Sequence, residues 1–118
     1  MDFTVKESID FEKLLVENGY NKSNQSHHLE DYGWYKPFKQ DDVLKYQIYF
    51  GIYDWTKYKD RDPNCKDRIG VSFMAIFTLP GFERYDIMAM PVKDENDSNE
   101  NILSKFENHV EKLYKTFL

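Results

Sequence analysis

The sequence predicts an α+β domain: an N-terminal helix, a three- to four-stranded antiparallel meander sheet, and a C-terminal helix packed on that sheet. Three observations predict it. Apolar residues recur at helical spacing near both ends of the chain, they alternate one by one through its middle, and turn residues punctuate the segments between. A helix with a single apolar stripe must bury it on a sheet, so the elements stack as two or three layers in one domain spanning residues 1–118.

The elements follow in order. Thr4 and Glu7 have the spacing of a capping box, with Ser8 and Asp10 as equal candidates for the cap; Phe11, Leu14 and Leu15 form an apolar stripe, and Gly19 sits where a left-handed helix end is expected. Residues 21–30, NKSNQSHHLE, are polar and aperiodic and read as a loop. A first strand covers 31–38, with Pro37 placing it at an edge or ending it, and residues 39–42 make the next turn. In the second strand Leu44, Tyr46, Ile48, Phe50 and Ile52 alternate with Lys45, Gln47, Tyr49, Gly51 and Tyr53, so one set faces the core and the other faces away. A charged loop over 56–67 leads to a third strand, in which Ile69, Val71, Phe73, Ala75, Phe77 and Leu79 form the core set.

The turn at Leu79-Pro80-Gly81-Phe82 fixes a register. Proline disfavours the primed turns of two-residue hairpins, so an odd-length loop is expected. It pairs Phe77 with Tyr85, Ala75 with Ile87 and Phe73 with Ala89, whereas a two-residue loop would set Arg84 and Asp86 against the core. Beyond Pro91, Asp97 and Glu100 offer a second capping-box spacing. Ile102, Leu103, Phe106, Val110, Leu113 and Phe117 then mark the last helix.

Composition narrows the function classes. With 118 residues, 41% hydrophobic and 17% aromatic, the chain has the material for one core without disulfides or metal. Its net charge of −5 opposes a protein that coats duplex nucleic acid. No signal-peptide pattern and no bilayer-length apolar run are visible, and the lone Cys65 fits a reducing, cytoplasmic setting without a membrane.

The chemical motifs fail one by one. Asp60, Asp62 and Asn64 begin like a calcium loop, but Cys65 and Val71 stand where glycine and a bidentate glutamate are required. Cys65 lies among Arg61, Lys66 and Arg68 without a histidine nearby in sequence, and reads as an ordinary exposed thiol. His27 and His28 are adjacent and point apart on an extended chain. No phosphate loop, nucleophile elbow, H-E-x-x-H or C-x-x-C occurs, so neither catalytic residues nor a cofactor nor a metal is assigned.

One constellation remains. Tyr49 and Tyr53, with Trp55 just beyond them, belong to the face opposite the core set; Lys45 shares it, and Arg68 and Arg84 reach it from neighbouring strands. Met74, Ile76, Met88 and Met90 fall on the same face, so it is not a clean solvent face: a helix over it would make them a second core, and a second copy of the chain would explain them equally well. The expected function is therefore non-enzymatic binding through the sheet face or an edge, with a protein partner or a second copy of the chain. The alternative is single-stranded nucleic acid, with Tyr49, Tyr53 and Trp55 stacking on bases and Lys45, Arg68 and Arg84 meeting phosphates.

Overall fold

The computed structural model describes residues 1–24, 26, 28–38, 46–78, 81, 84–92, 94 and 96–117. Leu44, Lys45, the turn at 39–42, His27, Leu79, Pro80 and Phe82 lie outside the described residues. The chain runs β1 (Asp2–Phe3), α1 (Val5–Glu17), β2 (Asn21–Ser23), β3 (Tyr32–Pro37), β4 (Tyr46–Asp54), β5 (Ile69–Phe77), β6 (Tyr85–Met88) and α2 (Asn99–Phe117). The strands form one antiparallel sheet in the order β1-β5-β4-β3-β2, with β6 also paired to β5.

The α+β class, the two helices and the β3–β6 meander are as the sequence predicts, but the sheet has six strands where three or four were expected. The two additions are β1 and β2, two and three residues long. β1 sets Phe3 in the core against Phe11 but is too short to show an alternation, and the polar run at 21–23 gave no sign of β2 because backbone pairing at an edge needs no apolar pattern. β1 and β6 lie end to end along the same side of β5, opposite Ile69–Gly70 and Met74–Phe77. The register across the 79–83 loop is the predicted one, with Phe77 opposite Tyr85 and Ala75 opposite Ile87; Ala89 N donates to Phe73 O at 3.2 Å.

Local chemistry fixes the helix ends. Glu7 N donates to Thr4 Oγ1 (3.1 Å) and Thr4 N to Glu7 Oε1 (3.0 Å), completing the capping box. Gly19 takes φ +85°, the left-handed conformation that closes a helix. At α2 the cap is Ser98, whose Oγ accepts from Asn101 N (3.2 Å); Asp97 instead accepts from Asp94 N and Lys105 Nζ.

Both helices cover the same face. Phe11, Leu14 and Leu15 of α1 and Ile102, Leu103, Phe106 and Val110 of α2 join Ile48, Phe50, Ile52, Val71, Phe73 and Phe77 in one core. Its centre is aromatic. The Phe50 ring meets those of Phe11, Tyr20, Phe73 and Phe106 edge-on at centroid separations of 5.0–5.6 Å. Helices and sheet form two layers, and among the described residues no helix lies over the second sheet face, although Tyr49, Met74 and Ile76 form a small buried cluster there. Cys65, expected to be exposed, is buried: the 3-10 turn Pro63–Cys65, capped by Asp62, turns the thiol inward.

Candidate functional site

The second face divides into a covered half and an open half. A row of small residues runs across it, because Gly33 stands opposite Gly51 and Gly51 opposite Ser72. This row is a trough. A Cβ on Gly33 would lie 2.0 Å from Tyr49 Oη, and one on Gly51 would lie 2.6 Å from Ser72 Oγ and 3.2 Å from Glu30 Cγ. The Tyr49 ring therefore lies across Gly33, and Glu30 comes down over Gly51.

Glu30 belongs to a strap, residues 28–31, that crosses the sheet. Tyr49 Oη donates to Glu30 Oε1 (2.8 Å), His28 N donates to Glu30 Oε2 (2.7 Å), and Tyr53 Oη donates to His28 O (3.0 Å). Leu29, at φ +64°, bends the strap and stands outward, so that residues on both sides of it turn to the sheet. One end of the strap is anchored by Asp31, whose N–H bonds Ile52 O (2.8 Å) while its carboxylate accepts from Asp54 N (2.7 Å) and Lys57 Nζ (2.6 Å). At the other end His28 Nε2 lies 3.2 Å from Asp86 Oδ2 on β6, and Arg84 grips the same carboxylate through two contacts of 2.6 Å.

Burial and charge shift several groups here. Desolvation, with Glu30 beside it, pushes the Tyr49 hydroxyl well above the ordinary tyrosine range. Desolvation works to raise Asp86, but Arg84 and His28 outweigh it and hold the carboxyl below its usual value. Asp31 is likewise lowered, burial being overcome by Lys57 and the Asp54 amide.

The open half is a groove of about 360 Å³ between the strap and the β1–β6 edge. Gly70 and Ser72 lie on its floor, Tyr53 and Trp55 form one wall, and Met88 and Met90 form the other. The Tyr53 and Trp55 rings stack at 6.3 Å with 11° between planes, and the Arg68 guanidinium lies 5.2 Å from the Trp55 ring centroid. Arg68 Nε also sits 3.3 Å from Asp2 Oδ1. Trp55 lies flat because residue 70 is glycine: a Cβ there would come within 2.8 Å of the indole nitrogen.

Of the residues singled out from sequence, Tyr53, Trp55 and Arg68 are brought together in the groove. Tyr49 is on the expected face but fully buried under the strap, and Arg84 is engaged with Asp86 beside it. Lys45 lies outside the described residues. Sequence reasoning weighed His28 and Glu30 only as metal-ligand types, and missed both their place in the strap and the Gly33–Gly51–Ser72 trough. The signal for the trough was present as small residues in the outward set of successive strands. Among the described residues no group of three or more His, Cys, Asp or Glu side chains could hold a metal ion, and no helix is long and apolar enough to cross a membrane.

No family model, no curated protein and no solved structure matches this chain.

Proposed function

We propose that this is a small non-enzymatic binding or adaptor protein, working through protein–protein contacts of the open half of its second face and the adjoining β6 edge, and that it self-associates. One observation carries the reading. Along β6, which has no neighbour on its outer side among the described residues, Tyr85 and Met88 are 42% and 54% exposed, and Met90 and Val92 in the segment that follows are 68% and 76% exposed. Sheet edges left bare are normally blunted by charge, proline or a bulge, because unpaired backbone groups recruit other chains. Here the charges at the start of the strand, Arg84 and Asp86, neutralise each other, and residues 87–90 carry none. Methionine side chains, flexible and polarizable, suit a surface that must fit a partner. The single buried cysteine suits the reducing, cytoplasmic setting that belongs to this proposal.

The experiment is recovery of the tagged protein from its native cells, with and without nuclease, comparing wild type with Met88→Lys. Proteins that survive nuclease and are lost with Met88→Lys support the reading. Partners retained in full by the variant contradict it.

A second reading, single-stranded nucleic acid, draws on the Tyr53–Trp55 stack with Arg68 over it. Asp2, Asp31 and Asp54 line the surface around that stack and oppose phosphate. It predicts quenching of Trp fluorescence by oligonucleotides that weakens as salt rises; unchanged fluorescence at low salt removes it.

A further inference from the structure

The β6 edge is complementary to itself, and we infer that it pairs antiparallel with the same strand of a second copy, with Met88 on the two-fold axis. This rests on the reading of the edge as a contact surface and names its partner. The phase of the ladder decides which groups are free. Ala89 N bonds Phe73 O at 3.2 Å, so Ala89, Ile87 and Tyr85 turn their backbone N–H and C=O toward β5. By the alternation of an antiparallel pair, Asp86 and Met88 turn theirs to the open side. Another extended chain meets that pattern in full.

The strand itself is such a chain. Its sequence, Tyr85-Asp86-Ile87-Met88, continued in the ladder by the Ala89 N–H and followed by Met90, presents apolar side chains on both faces. The chain carries −5 overall, yet at this edge Arg84 and Asp86 cancel through two 2.6 Å contacts, so two copies meet here without like-charge repulsion.

An isologous pair can be centred on Asp86, Ile87 or Met88. Centring on Asp86 sets two carboxylates face to face. Centring on Ile87 sets each Asp86 against the opposing Met88 and so keeps apart the two Met88 side chains, the most exposed of the strand. Centring on Met88 joins two exposed methionines, sets Ile87 against Ala89 across the helix-side face, and leaves Asp86 opposite Met90 with its own Arg84 and His28 still in place. The Met88 of each copy then extends the methionine wall of the other's groove, and two sheets become one.

The test is sedimentation equilibrium together with oxidative cross-linking by diamide. Residues facing each other at the axis have Cα atoms about 5.5 Å apart, inside disulfide range. The expected result is a wild-type dimer, a Met88→Cys variant that cross-links, and a Val92→Cys variant, off the axis, that does not. Wild type, whose Cys65 is buried, serves as the uncross-linked control. Met88→Lys places two like charges at the axis and weakens association by more than about a hundredfold, with an unchanged circular dichroism spectrum. A wild type that stays monomeric at high concentration overturns the inference, as does a dimer indifferent to Met88→Lys. If the monomer's partners are still lost with Met88→Lys, the contact-surface reading stands and only self-pairing falls.

Discussion

The two faces of this sheet are built from the same alternating strands and closed in different ways. On the first face two amphipathic helices bury an aromatic cluster, and stability comes from area removed from water. On the second face a four-residue strap lies in a trough of small residues and is held by hydrogen bonds to Tyr49, Tyr53 and Asp86. To one side of the strap lies the groove of Tyr53, Trp55 and Met88, while Met74 and Ile76, expected on a contact surface, are buried with Tyr49. The contrast shows that an outward aromatic set on a strand does not define a ligand platform. Tyr49 and Tyr53 are four residues apart on the same face, yet one is sealed beneath Glu30 while the other lines a groove.

The largest effect expected from breaking either face lies on the first. Phe73→Ala should cost about 3–5 kcal/mol, the range for deleting a buried phenylalanine, measured by denaturant unfolding. On the second face Tyr49→Phe keeps the ring and removes one donor to a buried carboxylate, so about 1–3 kcal/mol is expected from the same measurement. A loss at Tyr49→Phe as large as at Phe73→Ala would mean that the strap carries as much stability as the helices.

Gly33→Ala sharpens the comparison, since its Cβ would stand 2.0 Å from Tyr49 Oη. It should destabilise by about 1–3 kcal/mol as the ring is displaced. In a Tyr49→Leu background the same change should cost much less, and a double-mutant cycle showing no coupling would contradict the packing of ring on glycine.

The smallest expected effect is alkaline. Tyr20 on the first face and Tyr49 on the second are both raised above the ordinary value of 10.0, chiefly by burial, with Glu107 and Glu30 respectively adding to it. Unfolded tyrosine releases its proton near pH 10 while the folded groups hold theirs. The folded state therefore binds more protons above that pH, and stability falls as pH rises. Thermal midpoints should decline above about pH 10, with tyrosinate absorbance from these groups appearing only on unfolding.

What the sequence made legible was what repeats. The apolar alternation of Tyr46–Ile52 and Ile69–Phe77, the α2 stripe, the capping box at Thr4 and the register set across Pro80 all follow from local chemistry, and the structure has them. β1 and β2, two and three residues long, are too short to leave a pattern, even though Phe3 of β1 enters the core. The strap was hidden for another reason. Glu30 and Tyr49 are 19 residues apart, and only the assembled sheet brings them within 2.8 Å. Trp55 and Arg68 could be placed on a face, but their stacking depends on Gly70 leaving room for the indole.

Whether β6 is an open edge that another strand covers is tested most directly by amide hydrogen exchange followed by NMR across protein concentration. The predicted result is slow exchange at Ile87 and Ala89 at every concentration, with Asp86 and Met88 fast in dilute protein and slow in concentrated protein. Asp86 and Met88 amides that stay fast at high concentration, or that are already slow when dilute, would contradict it.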